Sequence, residues 1–389
     1  MKLNDVCEVI TCGVAKRPNY VEDGIPFLSS KNVKEDRFIL DSYNYVSKED
    51  YLKLTKHNKP EKGDILYTRV GSFGQAAVVN FDFEFAVFVS LTLIKPKKEI
   101  VDSRYLMHYL NNPFIRNLAN NSTSGIGVQN LNVKVVREFP IDLPPLKTQQ
   151  HITTILDDAA ALRDKTAQLL TEYDLLSQSI FLEMFGDPVR NQKNWNIKPI
   201  SEISKRIQIG PFGSQLHKSD YQDLGFSLVN PIDIKNGEID LENCKKIGEN
   251  KFLSLPNYHL QRGDLIIARR GDLSKIAVVE NEDLFCGTGS LYVRFNEKLN
   301  SKFCSYFFNQ EVTISRLYEE ARGITMANLN KTIIKEFNIP VPPIELQNQF
   351  ADKIALIEQQ KALAKQELQE SEDLFNCLLQ KAFKGELTL

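Results

Sequence analysis

The chain has 389 residues, a length that favours two domains of ordinary size over one core. Its hydrophobic share of 42%, charged share of 25% and net charge of −2 are typical of a folded globular protein and exclude bulk disorder. No apolar run approaches the roughly 18 residues of a membrane helix, and residues 1–13 lack the apolar core of a secretory signal. We therefore expect a cytoplasmic protein without membrane contact.

The cysteines give no sign of a metal site. None belongs to a Cys-x-x-Cys pair, and the five histidines do not cluster with them. We expect reduced thiols and no structural metal. The six cysteines are Cys7, Cys12, Cys244, Cys286, Cys304 and Cys377.

The net charge is unevenly distributed along the chain. Residues 1–147 and 187–343 carry +3 and +2, whereas residues 148–186 and 344–389 carry −4 and −3. A mildly basic segment permits contact with phosphate, but a charge of this size does not by itself indicate a nucleic-acid partner.

Residues 1–145 are predicted to form a first domain of short strands and short helices. The β-branched runs at residues 65–70 and 75–80 are bounded by Gly and Asp, which predicts strands. Residues 103–110 predict a short helix. This mixture is typical of an α+β domain rich in loops.

Residues 146–186 are predicted to form one long helix. Pro144 and Pro145 mark its start, because proline fits the first turn and disfavours helix before it. Apolar side chains then recur at spacings of three and four for about four heptads, which indicates a helix-pairing seam. The seam residues are Ile152, Ile155, Ala159, Leu162, Thr166, Leu169, Tyr173, Leu176 and Ile180.

Residues 187–343 repeat the first domain. Four blocks recur in the same order, at an offset of 200 residues and then 198, which indicates a tandem duplication rather than chance similarity. In the first block, Gly63-Asp64 with Arg69 and Gly71 corresponds to Gly263-Asp264 with Arg269 and Gly271. In the second and third, Arg104-Tyr105-Leu106 corresponds to Lys302-Phe303-Cys304, and Asn130-Leu131-Asn132 corresponds to Asn328-Leu329-Asn330. In the fourth, FPIDLPPLKTQ corresponds to FNIPVPPIELQ.

Residues 344–389 are predicted to form a second long helix with the same rhythm. Its seam is interrupted by Lys361 and Ser371. Because two duplicated helices with matching seams favour pairing with each other, we expect an antiparallel pair. About 36 residues at 1.5 Å each would give a spacer of ~54 Å between the two domains. The seam residues are Phe350, Ile354, Ile357, Ala364, Leu368, Phe375 and Leu378.

These features together resemble the specificity subunits of type I restriction-modification systems, the HsdS family. The resemblance covers essentially the whole chain. It rests on the two-fold repeat, the PPLxxQ and PPIxxQ helix starts, the Gly-Asp blocks and the run QIGPFGS that begins at Gln208. Each motif alone is weak, and their combination is specific.

The resemblance implies a fold class, a function and partners. The fold is α+β, with two pseudo-symmetric α/β target-recognition domains separated by a long antiparallel two-helix coiled coil. Each domain would read one half of a bipartite site in double-stranded DNA. The helices would set the spacing and dock two modification (methyltransferase) subunits, with restriction subunits as further partners. A spacer of this size spans more than one turn of DNA, as half-sites on one face require.

The two halves differ at one motif. Where the second unit has Gly-Pro-Phe-Gly-Ser, the first has Thr11-Cys12-Gly13-Val14-Ala15. We therefore expect two different half-sites and an asymmetric DNA target.

The candidate DNA contacts are polar, basic or glycine residues of loops. Glycine loops allow close approach to phosphate or base edges, and arginine is the commonest specific reader of guanine. Tight turns and salt bridges to local carboxylates are the structural alternatives. The candidates are Ser30, Lys31, Asn32, Arg69, Ser72, Thr123, Ser124, Gly125, Gly210, Pro211, Phe212, Gly213, Ser214, Arg269, Arg270, Arg322 and Gly323.

An enzyme is the main alternative from another class. An amino-methyltransferase needs an Asn/Asp-Pro-Pro-Tyr/Phe tetrad, but Asn112-Pro113-Phe114 lacks the second proline and Asp142-Leu143-Pro144-Pro145 lacks the aromatic residue. Neither GxGxxG nor GxxxxGK(S/T) occurs in the sequence. We therefore expect no catalysis and no cofactor.

A duplicated protein-binding scaffold without direct DNA readout is the remaining alternative. The near-neutral charge is compatible with it. It predicts no salt-sensitive DNA affinity, whereas a DNA reader predicts a steep salt dependence.

Overall fold

The computed structural model describes residues 1–14, 18–71, 73–122, 130–213, 215–321 and 328–387. The chain divides into two compact units. Unit 1 comprises Met1–Ala167 and Lys365–Leu389, and unit 2 comprises Gln168–Ala364. Each unit thus holds one predicted domain and one half of each predicted long helix. The predicted domain limits at residues 145, 186 and 343 stay predictions.

Unit 1 alternates short strands with short helices. Its elements are β1 (Cys7–Cys12), β2 (Tyr20–Val21), β3 (Ile25–Leu28), β4 (Val33–Lys34), β5 (Arg37–Phe38), β6 (Asn44–Val46), α1 (Lys48–Leu54), β7 (Ile65–Thr68), β8 (Ala76–Val78), β9 (Ala86–Val87), β10 (Leu91–Pro96), α2 (Ser103–Asn111), α3 (Pro113–Asn121), α4 (Val133–Arg137) and the start of α5 (Leu146–Phe185).

The strands of unit 1 form two four-stranded sheets. Their orders are β1-β10-β7-β8 and β2-β6-β3-β9, and β4 and β5 form a separate hairpin. All four residues of β7 are buried, as expected for an apolar run in the middle of a sheet. The predicted strands at residues 65–70 and 75–80 are β7 and β8, and the predicted helix at 103–110 is α2. These three predictions are confirmed.

Unit 2 repeats this order of elements and adds three short strands and one short helix. Its elements are the end of α5, β11 (Asn196–Pro199), α6 (Ile200–Ile203), β12 (Ser204–Ile209), β13 (Tyr221–Gln222), β14 (Phe226–Val229), β15 (Ile234–Lys235), β16 (Glu238–Ile239), β17 (Lys245–Ile247), α7 (Glu249–Ser254), β18 (His259–Leu260), β19 (Leu265–Ala268), β20 (Ile276–Val278), β21 (Leu284–Cys286), β22 (Ser290–Phe295), α8 (Ser301–Phe308), α9 (Glu311–Glu320), α10 (Lys331–Glu336), β23 (Asn338–Val341) and the start of α11 (Ile344–Phe383).

The sheet topology of unit 2 matches that of unit 1. The order β12-β22-β19-β20 corresponds to β1-β10-β7-β8, and β13-β17-β14-β21 corresponds to β2-β6-β3-β9 with β18 added at the edge. In both units the second sheet contains one parallel pair, β3 with β9 and β14 with β21. The duplication read from the sequence is therefore a duplication of the fold.

The repeated Gly-Asp block begins the same central strand in each unit. Its glycine has a φ of 91° in unit 1 and 89° in unit 2, in the left-handed region that favours glycine. Its aspartate is buried and paired with a cation from the neighbouring strand: Asp64 with Lys95 at 2.7 Å, and Asp264 with Arg294 at 2.8 Å. The block is thus required by the fold.

The long helices pair antiparallel within each unit. In unit 1, Ala159 and Ala160 near the start of α5 share a core with Phe375 near the end of α11. In unit 2, Phe181 near the end of α5 packs 5.6 Å from Phe350 near the start of α11. The predicted fold class, with two α/β target-recognition domains and a long antiparallel helix pair, is confirmed.

The predicted seam on α5 is wrong by one residue at two positions. Leu162 and Leu176 are 52% and 46% exposed, whereas Arg163 is half-buried and Ser177 is buried. Two contacts explain this: the Arg163 guanidinium lies 4.9 Å from the Phe375 ring, and Ser177 Oγ donates to the backbone of its own helix at 2.9 Å. Polar side chains satisfied in this way can occupy buried positions that an apolar pattern assigns to leucine.

The other predicted seam positions are mostly enclosed. On α5, Ile152 is buried, and Ile155, Leu169, Tyr173 and Ile180 are half-buried. On α11, burial follows the predicted spacing as far as Phe375 and then shifts by one residue, from Leu378 to Leu379, which is 2% exposed. There, Ile354, Ile357 and Phe375 are buried, and Leu368 and Leu378 are half-buried.

Within the described residues, no helix combines the length and the apolarity needed to cross a bilayer.

Candidate nucleic-acid interface

Five segments of unit 1 meet at one end of its first sheet. The Gly13 N–H donates to Leu91 O at 3.2 Å, and the Ser30 N–H donates to Ser90 Oγ at 3.0 Å. The Arg69 N–H donates to Ser90 O at 3.0 Å. We call this set the loop cluster of unit 1; its segments are residues 12–14, 29–32, 69–71, 88–90 and 130–132.

Unit 2 has the corresponding loop cluster, and glycines let its segments touch. The Gly210 N–H donates to Ser290 O, and the Arg269 N–H donates to Gly289 O, both at 3.0 Å. A Cβ atom on Gly210 would lie 1.8 Å from the carbonyl oxygen of Gly287. Gly210 therefore permits a close approach of two backbones. The segments are residues 210–213, 230–233, 269–271, 287–289 and 328–330.

A buried arginine holds the loop cluster of unit 1 together. Arg69 is 8% exposed and donates Nε to Leu131 O at 2.8 Å, Nη1 to Val89 O at 3.1 Å and Nη2 to Asn130 Oδ1 at 3.1 Å. All three acceptors are neutral. Arg69 thus brings a positive charge to the cluster, and among the described residues no carboxylate pairs with it.

Arg269 occupies the same place in unit 2. It is 5% exposed, its Nη2 donates to Asn328 Oδ1 at 3.1 Å, and its Nε has no hydrogen-bond partner among the described residues. Burial lowers the pKa of its guanidinium, and the adjacent Arg270 lowers this pKa further. Arginine nevertheless keeps its charge in proteins, so Arg269 and Arg270 make this cluster electropositive.

Four other candidates in unit 2 have different surroundings. Phe212 is 58% exposed, and its ring lies 5.9 Å from the Arg269 guanidinium. Pro211 is buried, and a Cβ atom on Gly213 would meet nothing within 4 Å. Arg270 is exposed, with Nε 3.5 Å from Asn328 Oδ1. Phe212 and Arg270 therefore provide the candidate side chains of this cluster that are open to a ligand.

In unit 1, the short 3-10 turn at Ser30–Asn32 divides into exposed and internal positions. Lys31 is exposed, whereas Ser30 is half-buried. Asn32 is 3% exposed, and its amide donates to Ile39 O at 3.0 Å and Ser42 O at 2.8 Å while accepting from Ser29 N. Because these bonds use both ends of its amide, Asn32 shapes the turn, and Lys31 is the side chain that the turn presents.

Sequence reasoning missed Ile232, which occupies the position of Lys31 in unit 2. Ile232 is 80% exposed on a turn fixed by Asp233, whose carboxylate accepts from Asn230 N at 2.8 Å. Burial raises the pKa of Asp233. Matching the two turns residue by residue would have singled out Ile232, since an isoleucine replaces a lysine at the exposed position.

Seven candidates lie outside the described residues. They are Ser72, Thr123, Ser124, Gly125, Ser214, Arg322 and Gly323.

One group of side chains in unit 1 has the composition of a metal site. Ligand atoms of Asp36, His108 and Asp157 lie within 4.8 Å of one another. Arg104 donates to both carboxylates, at 2.9 Å and 2.5 Å. Burial alone would raise the pKa of Asp157, but hydrogen bonds from His108 and Arg104 outweigh burial and lower it. Since one guanidinium already bridges both carboxylates, we assign the group a structural role.

A protein-family comparison matches each half of the chain separately. A model described as "Type I restriction modification DNA specificity domain" matches residues 1–172 and again residues 192–372. The type I restriction enzyme EcoKI specificity subunit of Escherichia coli K12 is 21% identical, over 95% of this chain and 84% of that protein. The EcoBI specificity subunit of Escherichia coli is 22% identical, over 76% of this chain and 68% of that protein.

Two solved structures share the fold. A chain from work on complex assembly and conformational transition of the type I R-M system matches with a TM-score of 0.61 and 18% identity, covering 100% of this chain and 97% of that one. The type I restriction-modification S subunit from M. genitalium matches with a TM-score of 0.57 and 16% identity, covering 98% and 95%.

Proposed function

The chain belongs to the type I restriction modification DNA specificity family, and from this premise we propose that it selects the DNA sequence for a type I restriction-modification complex. Each target-recognition domain reads one half of an asymmetric bipartite site in double-stranded DNA. The observation that carries the proposal is the duplicated match, with one family domain on residues 1–172 and one on residues 192–372.

The loop clusters are the proposed reading surfaces. Each contains a buried arginine whose hydrogen bonds go only to neutral acceptors, so each presents an uncompensated positive charge. Phosphate contacts supply affinity at such a surface, whereas base contacts supply the sequence information. We assign the contacts to exposed side chains: the candidates Lys31 in unit 1 and Phe212 and Arg270 in unit 2, together with Ile232 in unit 2, which the structure adds.

The long helices are the proposed docking surface for two modification (methyltransferase) subunits. In unit 2, exposed leucines recur at seven-residue spacing outside the helix pair: Leu175 and Leu182 on α5 are 58% and 45% exposed, and Leu356 and Leu363 on α11 are 65% and 51% exposed. Such apolar stripes fit a protein partner better than water. The chain itself supplies recognition, the modification subunits supply catalysis, and restriction subunits join the assembly.

Methylation mapping tests this proposal. The chain is expressed with its neighbouring methyltransferase subunit in a host without other DNA methylation, and the modified positions are mapped across the genome. We expect one bipartite, asymmetric motif with a fixed unread gap, which disappears when the chain is omitted. A motif that persists without the chain would contradict the proposal and favour the protein-binding scaffold.

A further inference from the structure

A basic surface of unit 2 lies beside its loop cluster. An open hollow of about 400 Å³ is bordered by β12 and α10. Four basic side chains line it, and we call this surface the basic hollow. The four are Lys205, Arg206, Lys331 and Lys335.

These charges have little compensation within the protein. Lys331 and Lys335 are exposed, and their side chains make no hydrogen bond or ion pair with any described residue. They stand one turn apart on α10, a spacing at which like charges repel. Arg206 donates to the neutral Asn257 Oδ1 at 2.6 Å, and Lys205 has only an exposed pair with Glu297 at 3.6 Å. The basic hollow is therefore poised for an anion.

The matching surface of unit 1 keeps a cation at only one of the four aligned positions. The strand registers align Glu8 with Lys205 and Val9 with Arg206, because β1 and β12 have the same irregularity at the same place. The offset of 198 residues aligns Val133 with Lys331 and Arg137 with Lys335.

The cation that unit 1 retains is already engaged. Arg137 donates to Ile10 O through both Nε and Nη2, at 3.1 Å and 2.6 Å. The shared fold of the two units therefore does not require the cations of the basic hollow.

The basic hollow continues into the loop cluster along two chain segments. Gln208, which lines the hollow, is two residues before Gly210. Lys331 directly follows the segment 328–330 that binds Arg269. Ser201 and Ser204 add hydroxyl groups to the lining. Lysine, arginine and hydroxyl donors together are the usual contacts of a DNA phosphate.

We propose that the basic hollow binds the phosphodiester backbone beside the half-site read by unit 2, and that unit 1 has no equivalent backbone anchor. This inference rests on the proposed function. Unit 2 thereby contributes more of the sequence-independent affinity, and unit 1 depends more on its base contacts.

The test uses the complete complex of the chain with its modification subunits. A complex that contains the wild-type chain is compared with one that contains the K331Q/K335Q variant. The probe is a duplex carrying the mapped motif, and its Kd is measured as a function of salt. Each lost phosphate contact lowers the slope of log K against log salt by about 0.9. For two lost contacts, we therefore expect the ratio of the variant's Kd to the wild-type Kd to fall about tenfold as the salt concentration rises from about 50 mM to 200 mM. The methylated motif should stay unchanged.

Lys193→Gln is the control, because Lys193 is an exposed lysine of unit 2 that belongs neither to the lining of the basic hollow nor to the loop cluster. It should leave the slope at its wild-type value. Three results would overturn the proposed role of the basic hollow and leave the proposed function intact. They are an unchanged slope for K331Q/K335Q, an altered motif, and loss of the modification subunits from the complex. A wild-type complex without salt-sensitive DNA affinity would defeat both.

Discussion

Arg69 and Arg269 illustrate how one residue can serve the fold and the function together. Each links its loop cluster by hydrogen bonds to an asparagine at the matching position, Asn130 or Asn328. Neither forms an ion pair with a described residue, although burying a charge without a counter-ion is costly. Phosphate bound at the cluster would offset that cost, which fits arginines retained at this place in both units.

Ile232 should read an apolar feature of the half-site assigned to unit 2. The methyl group of thymine is the apolar group of the major groove. Ile232→Ser should relax the motif at one position, costing about 1 kcal/mol of discrimination, because a buried methylene is worth roughly 0.8 kcal/mol. Methylation mapping checks this.

The control for Ile232 is Leu224→Ser. Leu224 is equally exposed, at 80%, but it precedes β14 whereas Ile232 follows it. The motif should not change in this variant. A change with Leu224 and none with Ile232 would refute the assignment.

Gly210 should tolerate no side chain. Its added Cβ would meet the Gly287 carbonyl oxygen at 1.8 Å, so Gly210→Ala must displace one of the two loops. We expect a loss of about 1–3 kcal/mol in the free energy of unfolding, as for other overpacked sites. Gly213→Ala, with nothing within 4 Å, should stay within about 0.5 kcal/mol of wild type. Urea denaturation measures both, and equal losses would count against the close-approach role.

At the scale of elements, several repeated motifs hold neighbouring segments together through hydrogen bonds. Gln149 and Gln347, which end the two Pro-Pro motifs, are buried and bond to three backbone groups each. The last asparagine of each Asn-Leu-Asn block caps the following helix, as Asn330 does by accepting from Thr332 N and Ile333 N. The blocks recur because both units need the same connections.

Replacing Gln347 should therefore weaken unit 2. Gln347→Ala leaves Asn300 N, Lys298 O and Pro342 O without their partner, and we expect a loss of about 2–3 kcal/mol in the free energy of unfolding. The exposed Gln349 on the same helix supplies the control, since Gln349→Ala should change stability by less than about 0.5 kcal/mol. Urea denaturation distinguishes the two variants. A Gln347 variant as stable as the control would contradict the role of Gln347 in holding these backbone segments together.

The sequence predicted elements better than individual contacts. Spacing alone predicted the long helices and the seam of α11 as far as Phe375, because periodicity indicates which face of a helix is buried. It misplaced Leu162 and Leu176, since burial of Arg163 and Ser177 depends on partners that no periodicity shows. It also selected Asn32, whose amide is used internally, and passed over Ile232, because composition does not reveal which side of a turn faces solvent.

At the scale of the whole molecule, the two units are alike in some regions and differ in others. Strand order and core are repeated between the units, whereas the loop clusters differ, with Gly-Pro-Phe-Gly on one side only and Ile232 in place of Lys31. The basic hollow adds a second difference. An asymmetric target requires two domains that share a fold but have different DNA-reading surfaces.

The continuous helices α5 and α11 should set the unread gap. Inserting one heptad after Ala167 and another after Ala364 preserves both seams and adds about 10.5 Å of helix. The gap should lengthen by about 3 base pairs, given about 3.4 Å per base pair. Methylation mapping reads the gap directly. An unchanged gap in an active complex would show that the helices do not determine spacing.

Methylation mapping of two matched variants tests whether each unit reads its own half-site. Lys31→Ala and Arg270→Ala each remove one exposed cation, the first from the loop cluster of unit 1 and the second from that of unit 2. We expect each variant to relax the motif in a different half and to leave the other half and the gap unchanged. Relaxation of the same half by both variants, or of neither half, would contradict this expectation.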